Sequence, residues 1–386
     1  MSQNVFILGA ARTPIGSFQG ALASQSAPDL GAHAIQAALA GSSLDPESVD
    51  EVIMGNVISA GLKQAPARQA MRLAGLPDAC AALTVNKVCG SGMKATMLGH
   101  DLIRAGSADR VVVGGMESMT NAPYLLTKAR AGQRMGHGEM LDSMFTDGLE
   151  DAETGGAMGS FAQATADDYQ LTREAMDAYA IGSLERARTA IADGSLQREI
   201  AELTIGDVTV SDDEQPGRAK IDRIPSLRPA FKADGTITAA NSSSISDGAS
   251  ALVLGGEDAV GDASPLARIV GHATHSRHPS EFTIAPVGAI GKLLENLGWT
   301  AADVDLYEIN EAFAMVTMIA TSELGLDPER VNVFGGACAQ GHPIGSTGSR
   351  LIVTLAHALA ARNLKRGIAA LCIGGGEATA VALSRE

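Results

Sequence analysis

The fold is decided by a pattern that the chain carries twice, as Asp109-Arg-Val-Val-Val-Gly-Gly-Met-Glu117 and as Ile368-Ala-Ala-Leu-Cys-Ile-Gly-Gly-Gly-Glu377. Each copy is an apolar run that breaks at glycines before a glutamate, which is typical of a buried strand ending in a tight turn. Around each copy, predicted strands alternate with predicted helices in the same order. This order indicates βαβ units and a duplicated α/β fold.

Working outward from these copies divides the chain into two halves and an insertion. We expect an N-terminal half at residues 1–117 plus 248–265 and a C-terminal half at residues 266–386. Residues 118–247 fit neither half and include an amphipathic helix predicted at residues 173–192. An insertion of this size is typically a lid, a binding surface or a subunit contact.

Composition limits the classes of partner. The 386 residues exceed one ordinary core, and 45% hydrophobic residues indicate a globular protein. A net charge of -15 with 3% aromatic residues argues against nucleic acid or an anionic membrane as a partner. We see no secretory signal and no apolar run of the ~20 residues that a membrane helix needs.

The four cysteines are widely spaced, which argues against both structural zinc and a disulfide framework. Free thiols of this kind predict a cytoplasmic protein. Cys89 stands out because it follows a predicted strand and precedes Gly90-Ser91-Gly92 and a helix. On its own it could be a small buried core residue. A helix N-terminus, however, stabilises a thiolate, so this position favours a nucleophile.

Three further residues occupy comparable positions in the second half. His342 lies in Gly341-His342-Pro343, on the loop corresponding to that of Cys89, although a histidine there could also be an ordinary surface residue. Cys372 precedes three glycines, which suit a backbone that approaches a ligand or directs N–H groups into a site. Asn310 sits at a predicted strand-to-helix junction, where helix capping is the simpler role.

A metal site is not expected from the sequence. His272, His275 and His278 are spaced by three, but no carboxylate cluster accompanies them. Metal binding by histidines alone is less favoured here than a loop at the rim of a substrate pocket.

Taken together, these motifs resemble the thiolase family over essentially the whole chain. They occur in the family's order, as Asn86-Lys-Val-Cys-Gly-Ser-Gly92, Asn310-Glu-Ala-Phe313, Gly341-His-Pro343 and Cys372-Ile-Gly-Gly-Gly376. The resemblance implies two thiolase-like βαβ domains in five α-β-α-β-α layers, with an inserted loop domain. It also implies a homotetramer built from tight dimers.

The resemblance further implies ping-pong chemistry on coenzyme A thioesters. Cys89 is then the acyl-accepting nucleophile, His342 takes its proton, and Cys372 is an acid/base. The N–H groups of Cys89 and Gly374 form one oxyanion hole, and His342 with a water held by Asn310 forms the other. Coenzyme A and acyl-CoA are substrates, and no bound cofactor is implied.

The same resemblance assigns a substrate channel. Ser243 matches a serine that contacts the pantetheine arm, Ala312 and Phe313 line the channel, and Met158 lies in the loop domain. The chain departs from the family pattern in the segment Glu281–Ala285 and at three further positions, which are Ala157, Gln340 and Glu377. We hypothesise that Phe282 closes the end of the acyl pocket and favours short chains.

We therefore expect an acetyl-CoA C-acetyltransferase of fatty acid metabolism. Its reaction is the ping-pong Claisen condensation or thiolysis of acetoacetyl-CoA through an acyl-cysteine. The alternative is a 3-ketoacyl-CoA thiolase (acetyl-CoA C-acyltransferase) of fatty-acid β-oxidation. A remote alternative is a non-catalytic scaffold that binds acyl-CoA.

Overall fold

The computed structural model describes residues 3–260 and 264–385. Numbered in chain order, the strands of those residues are β1 Val5–Arg12, β2 Gly16–Ser17, β3 Glu51–Gly55, β4 Ala81–Val85, β5 Arg110–Ser118, β6 Tyr124–Leu125, β7 Leu141–Asp142, β8 Leu203–Ile205, β9 Val208–Val210, β10 Ser246–Gly255, β11 Ala267–Ser276, β12 Leu306–Ile309, β13 Arg366–Ile373 and β14 Glu377–Ser384. The α-helices are α1 Ala27–Ser42, α2 Pro66–Leu73, α3 Ser91–Arg104, α4 Met158–Asp168, α5 Arg173–Ala192, α6 Glu214–Arg218, α7 Glu257–Val260, α8 Ala285–Leu297, α9 Ala314–Glu323, α10 Ala337–Gln340 and α11 Ile344–Ala361.

One large sheet carries both copies of the quoted pattern, as β5 and β13. Its strand order is β12-β13-β14-β11-β1-β10-β5-β3-β4, with β2 added beside β10. In one half, β5 pairs in parallel with β3 and antiparallel with β10. In the other half, β13 pairs in parallel with β12 and antiparallel with β14. The two halves therefore repeat one topology and meet where β1 pairs antiparallel with β11.

The two halves of the sheet lie on either side of a central pair of helices, and further helices cover their outer faces, which gives five layers. α3 and α11 pack against each other in the centre, with α3 lying against β3 and β5 and α11 against β10 and β13. α1 covers the outer face of the first half, and α8 covers the outer face of the second. The central pair approaches closely because Gly92 has no side chain, since a Cβ there would lie 2.4 Å from Ser349 Oγ.

Local sequence explains several helix boundaries. α1 begins after Ser26, whose hydroxyl accepts from the Asp29 N–H while the Asp29 carboxylate accepts from the Ser26 N–H. α5 begins at the predicted residue because Thr172 accepts a hydrogen bond from the Ala175 N–H. Both helices then bury mainly small and aliphatic side chains, and this packing stabilises them beyond the first turn.

The residues between β5 and β10 form a separate set of elements. They include α4, α5, α6 and two hairpins, β6–β7 and β8–β9. In and around the β6–β7 hairpin, four large apolar side chains are mostly exposed, namely Tyr124, Leu126, Met135 and Met140. No helix in the described ranges combines the length and apolarity that crossing a bilayer requires.

Candidate active site

Cys89 lies in a tight turn between β4 and α3. Val88 adopts a left-handed conformation with φ of 47°, which is strained for a β-branched residue. The Ser91 hydroxyl holds the turn, since it accepts from the Lys87 N–H at 2.8 Å and donates to the Val88 carbonyl at 2.6 Å. Cys89 is thereby fixed immediately before the N-terminus of α3.

The electrostatics of Cys89 differ from the sequence-based expectation. Burial raises the pKa of its thiol to about 11, and hydrogen bonds from the Gly374 and Cys89 N–H groups offset this only in part. Desolvation thus outweighs the stabilisation of a thiolate expected from the helix N-terminus, and the assignment of Cys89 as the nucleophile stays a prediction. At neutral pH Cys89 is a thiol and needs a base. Its sulfur already faces two backbone N–H groups.

His342 has the properties of that base. Its Nδ1 lies 2.6 Å from Thr347 Oγ1, and the Thr347 hydroxyl donates to the Pro343 carbonyl at 3.0 Å. Because the hydroxyl proton is used there, Nδ1 carries the ring proton and Nε2 presents a lone pair. Nε2 is buried without a partner among the described residues. Burial, assisted by nearby Arg350, lowers the pKa of His342 to about 3, so the ring is neutral.

The second cysteine of the site, Cys372, lies one residue before the end of β13 and is fully buried. Burial raises the pKa of its thiol well above the ordinary range, and the neighbouring Cys89 adds to the increase. The chain then turns through Gly375 and Gly376, both at positive φ. This turn places the Gly374 N–H against the Cys89 sulfur, so the two cysteines share one site.

Asn310 follows β12 and is held by its own backbone, whose N–H donates to the Ala370 carbonyl at 3.0 Å. The side chain is fully buried, and neither Oδ1 nor Nδ2 has a partner within the described parts of the chain. Buried amides without partners are rare in folded proteins. The arrangement leaves Asn310 able to hold a water or a ligand atom, and its side chain does not cap the following helix.

The predicted substrate residues gather on one side of Cys372. A single apolar cluster contains Cys372 together with four of them, namely Met158, Phe282, Ala312 and Phe313. The Phe282 and Phe313 rings are 6.4 Å apart and edge-to-face. The fifth, Ser243, adjoins the cluster because its N–H donates to the Ala312 carbonyl at 2.9 Å.

Sequence reasoning missed several residues that organise this site. Phe231 packs edge-to-face on Phe313 at 6.1 Å, and no local pattern marks it. Glu117 accepts N–H bonds from Val57, Ile58 and Gly345, which ties the His342 loop to the first half. The glutamate after each glycine break was visible in the sequence, but the two have different roles, since Glu377 instead pairs with Lys87 at 2.5 Å.

Two of the positions that depart from the family pattern have clear structural settings. Gln340 is buried, and its Nε2 donates to the Phe334 carbonyl at 3.1 Å. Ala157 directly precedes α4, so it lies beside Met158 at the start of that helix. Neither replaces one of the reactive side chains.

A cavity of about 700 Å³ lies elsewhere, between α5 and α9. Glu311 lines it but is fully engaged, accepting from Tyr179, Ser183, Asn332 and the Cys338 N–H at 2.8–3.1 Å. Its lining includes neither reactive cysteine and not His342. The cavity is therefore separate from the candidate active site.

Comparison with known proteins decides the family. Residues 5–258 match the thiolase N-terminal domain, and residues 263–385 match the thiolase C-terminal domain. The chain belongs to the thiolase family. This membership confirms the predicted fold and the prediction of an acyltransferase.

Individual relatives match along their whole length. An acetyl-CoA acetyltransferase of Schizosaccharomyces pombe is 47% identical, with 100% of both chains covered. An acetyl-CoA acetyltransferase structure from Syntrophomonas wolfei superposes with a TM-score of 0.97 at 38% identity, with 100% of both chains covered. A thiolase from Ascaris suum in complex with coenzyme A gives a TM-score of 0.95 at 42% identity, covering 99% of this chain and 100% of that one.

Proposed function

We propose that the protein is an acetyl-CoA C-acetyltransferase that condenses two acetyl-CoA molecules or cleaves acetoacetyl-CoA with coenzyme A. The observation that carries this proposal is a neutral His342 with an open Nε2, in the same fold region as two adjacent thiols, Cys89 and Cys372. The names of the full-length relatives support the same substrates.

In the first half-reaction, His342 Nε2 takes the Cys89 proton while the sulfur attacks the thioester carbonyl of acetyl-CoA. The bond from that carbonyl to the coenzyme A sulfur breaks, and Cys372 gives its proton to the departing sulfur. An acetyl-Cys89 and a Cys372 thiolate remain. Because burial strongly disfavours this thiolate, Cys372 is now a strong base.

In the second half-reaction, Cys372 takes an α-proton from a second acetyl-CoA, and the resulting carbanion attacks acetyl-Cys89. The bond between the acetyl carbon and the Cys89 sulfur breaks, and Cys89 recovers its proton from His342. The product is acetoacetyl-CoA, and every group returns to its starting state. Thiolysis is the same sequence in reverse.

Two sets of donors serve the oxygens that become negative during these steps. The Cys89 and Gly374 N–H groups converge at the nucleophile and serve the oxygen of the acetyl group. A water held by Asn310, together with His342 Nε2, serves the thioester oxygen of the second substrate. Buried polar atoms without partners on both residues support this assignment.

The acyl end of the channel determines which thioesters fit. Phe282 is buried against Phe313 in the cluster that also contains Cys372, Ala312 and Met158. The family resemblance assigns Ser243, which hydrogen-bonds to Ala312, to the pantetheine arm. A rigid, buried ring at this position would block added methylenes if the acyl chain extends towards it. We therefore assign Phe282 as the residue that limits chain length.

Cleavage of a series of 3-ketoacyl-CoAs by coenzyme A tests this function. The wild type is expected to cleave acetoacetyl-CoA and to lose activity steeply as the chain lengthens. Phe282→Ala is expected to raise kcat/KM for 3-ketohexanoyl-CoA relative to acetoacetyl-CoA by roughly 10-fold or more, because it removes the ring that blocks added methylenes. The measurement is steady-state release of the shortened acyl-CoA.

Phe334→Ala is the matched control, since it removes another buried phenylalanine that packs in a different core cluster. Its chain-length profile should equal that of the wild type. Rapid wild-type cleavage of 3-ketooctanoyl-CoA would instead assign the protein as a 3-ketoacyl-CoA thiolase of β-oxidation. Absence of cleavage of every substrate would reject the catalytic proposal and leave an acyl-CoA-binding scaffold.

The assembly that we propose is a homotetramer, a dimer of dimers. β4 lies at one end of the sheet with Leu83 44% exposed, which suits pairing with a second copy. The exposed apolar side chains around the β6–β7 hairpin suit a second contact. Sedimentation equilibrium should give four times the mass of one chain, and a monomer at micromolar concentration would contradict this assembly.

The proposal also covers the cofactor requirement, the location, the domain division and the metabolic role of the protein. The chemistry uses only protein groups and coenzyme A thioesters, so we propose that the reaction needs no bound cofactor. Cys89 and Cys372 must stay reduced, which a cytoplasmic location provides. We keep the division into residues 1–117 plus 248–265, 118–247 and 266–386, and a place in fatty acid metabolism.

A further inference from the structure

A cluster of potential metal ligands lies away from the active site, where the end of α3 meets β11. The Asp101 carboxylate oxygen Oδ1 is 3.0 Å from His100 Nδ1 and 2.9 Å from His272 Nε2. All three ligand atoms lie within 4.8 Å of one another. His272 is one of the three histidines spaced by three in the sequence and lies on β11, whereas its two partners lie on α3. The carboxylate that the sequence pattern lacked is thus supplied by α3.

We propose that His100, Asp101 and His272 bind one divalent transition-metal ion such as Zn²⁺. Two imidazole nitrogens and one carboxylate oxygen are donors that Zn²⁺, Co²⁺ and Ni²⁺ prefer, whereas Mg²⁺ and Ca²⁺ prefer oxygen alone. Ligands at ~2.0–2.2 Å from Zn²⁺ are themselves separated by about 3.3–3.6 Å in a tetrahedron. The three ligand atoms lie within 4.8 Å of one another, and binding requires them to adopt that spacing around the ion. Water fills the fourth position.

The burial of the three groups suits this role. The His100 side chain is 4% exposed, that of His272 20% and that of Asp101 53%, so an ion can enter from solvent beside Asp101. Each neutral ring has one proton, which moves to the other nitrogen when the first binds metal.

The charged residues around the cluster have opposite effects on the binding of a cation. The Asp101 carboxylate attracts a cation. Arg104, one turn further along α3, also faces His100 and weakens the attraction of a cation.

The bound ion would connect the two halves of the fold. His100 and Asp101 belong to α3 of the first half, whereas His272 belongs to β11 of the second. Ten residues of helix separate Cys89 from this cluster, which corresponds to ~15 Å. The ion therefore affects the stability of the fold rather than the acyl-transfer steps.

Zn²⁺ titration of the EDTA-treated full-length chain tests the proposal. We use a Cys89→Ala/Cys372→Ala background in isothermal titration calorimetry, because the active-site thiols could bind zinc themselves. The expected result is one equivalent bound, with a rise in Tm. His272→Gln should weaken binding by at least roughly 10-fold and abolish the rise in Tm. Its amide still donates a hydrogen bond to Asp101, so a purely structural role would be retained.

Two variants complete the test. Asp101→Asn changes a half-exposed residue and should weaken binding in the same way. His275→Gln removes a histidine of the same strand whose ring packs against Gly288, and it should bind Zn²⁺ as the background does. Absence of binding by the background, or binding that survives both His272→Gln and Asp101→Asn, would overturn the proposal.

Discussion

Cys89→Ala is expected to lower kcat for acetoacetyl-CoA cleavage by roughly 10⁴-fold or more, because it removes the atom that forms the covalent intermediate. Incubation with acetyl-CoA should add one acetyl group to the wild type and none to the variant. Intact-protein mass spectrometry measures both. The fold should be unaffected, since the substitution removes only the sulfur atom of a small side chain.

Cys372→Ala is the matched control because it removes the other thiol of the same site. Cys89 remains in this variant, and coenzyme A can leave with the proton from His342, so the acetyl label should still form, although more slowly. Condensation should nevertheless fall by roughly 10²–10⁴-fold, since no group removes the α-proton. An acetyl label on Cys89→Ala, or none on Cys372→Ala after long incubation, would reverse the assignment of the two cysteines.

His342→Ala is expected to lower kcat by roughly 10²–10⁴-fold through loss of the general base. The pH dependence of Cys89 alkylation by iodoacetamide gives the diagnostic result. With a pKa of about 11, the Cys89 thiolate fraction at pH 7 is about 10⁻⁴. Without His342, only this fraction reacts, so the rate should rise about tenfold per pH unit from pH 7 to pH 10.

The wild type should show a much flatter alkylation profile, because His342, with a pKa of about 3, is an unprotonated base throughout this range. Thr347→Val should lower kcat by roughly 10-fold, because the His342 ring is then no longer held with its proton on Nδ1. Thr347→Ser should keep kcat near the wild-type value, because it retains the hydroxyl. A His342→Ala variant with the flat wild-type profile would exclude His342 as the base.

Local patterns predicted much of this molecule. α5 begins and ends at the predicted residues because Thr172 and the helical periodicity are both local signals. β10 was not predicted, although it lies between β1 and β5. Its sequence begins Ser246-Asp-Gly-Ala-Ser, which is typical of a loop, and only burial on both faces makes it a strand. Tertiary packing thus forms a strand where the local sequence only weakly favours one.

The site shows the same division between local and distant signals. Cys89, His342, Asn310 and Cys372 could be singled out because each adjoins a recognisable glycine-rich turn or strand-to-helix junction in the sequence. The protonation states could not, since the high pKa of Cys89 comes from burial by segments distant in the sequence. Thr347 and the His100–Asp101–His272 cluster were missed for a related reason. Their significance depends on which side chains meet in space, and no spacing along the chain records that.

The position of β1 has a consequence for how the chain matures on the ribosome. β1 is made first, yet both of its partners, β10 and β11, come roughly 250 residues later, which gives these pairings a high contact order. At ~5–20 residues per second, the nascent chain carries an unpaired apolar strand for on the order of tens of seconds. Neither half can finish its core alone during that time. The seam between the halves therefore leaves an apolar strand without its partners until most of the chain has been made.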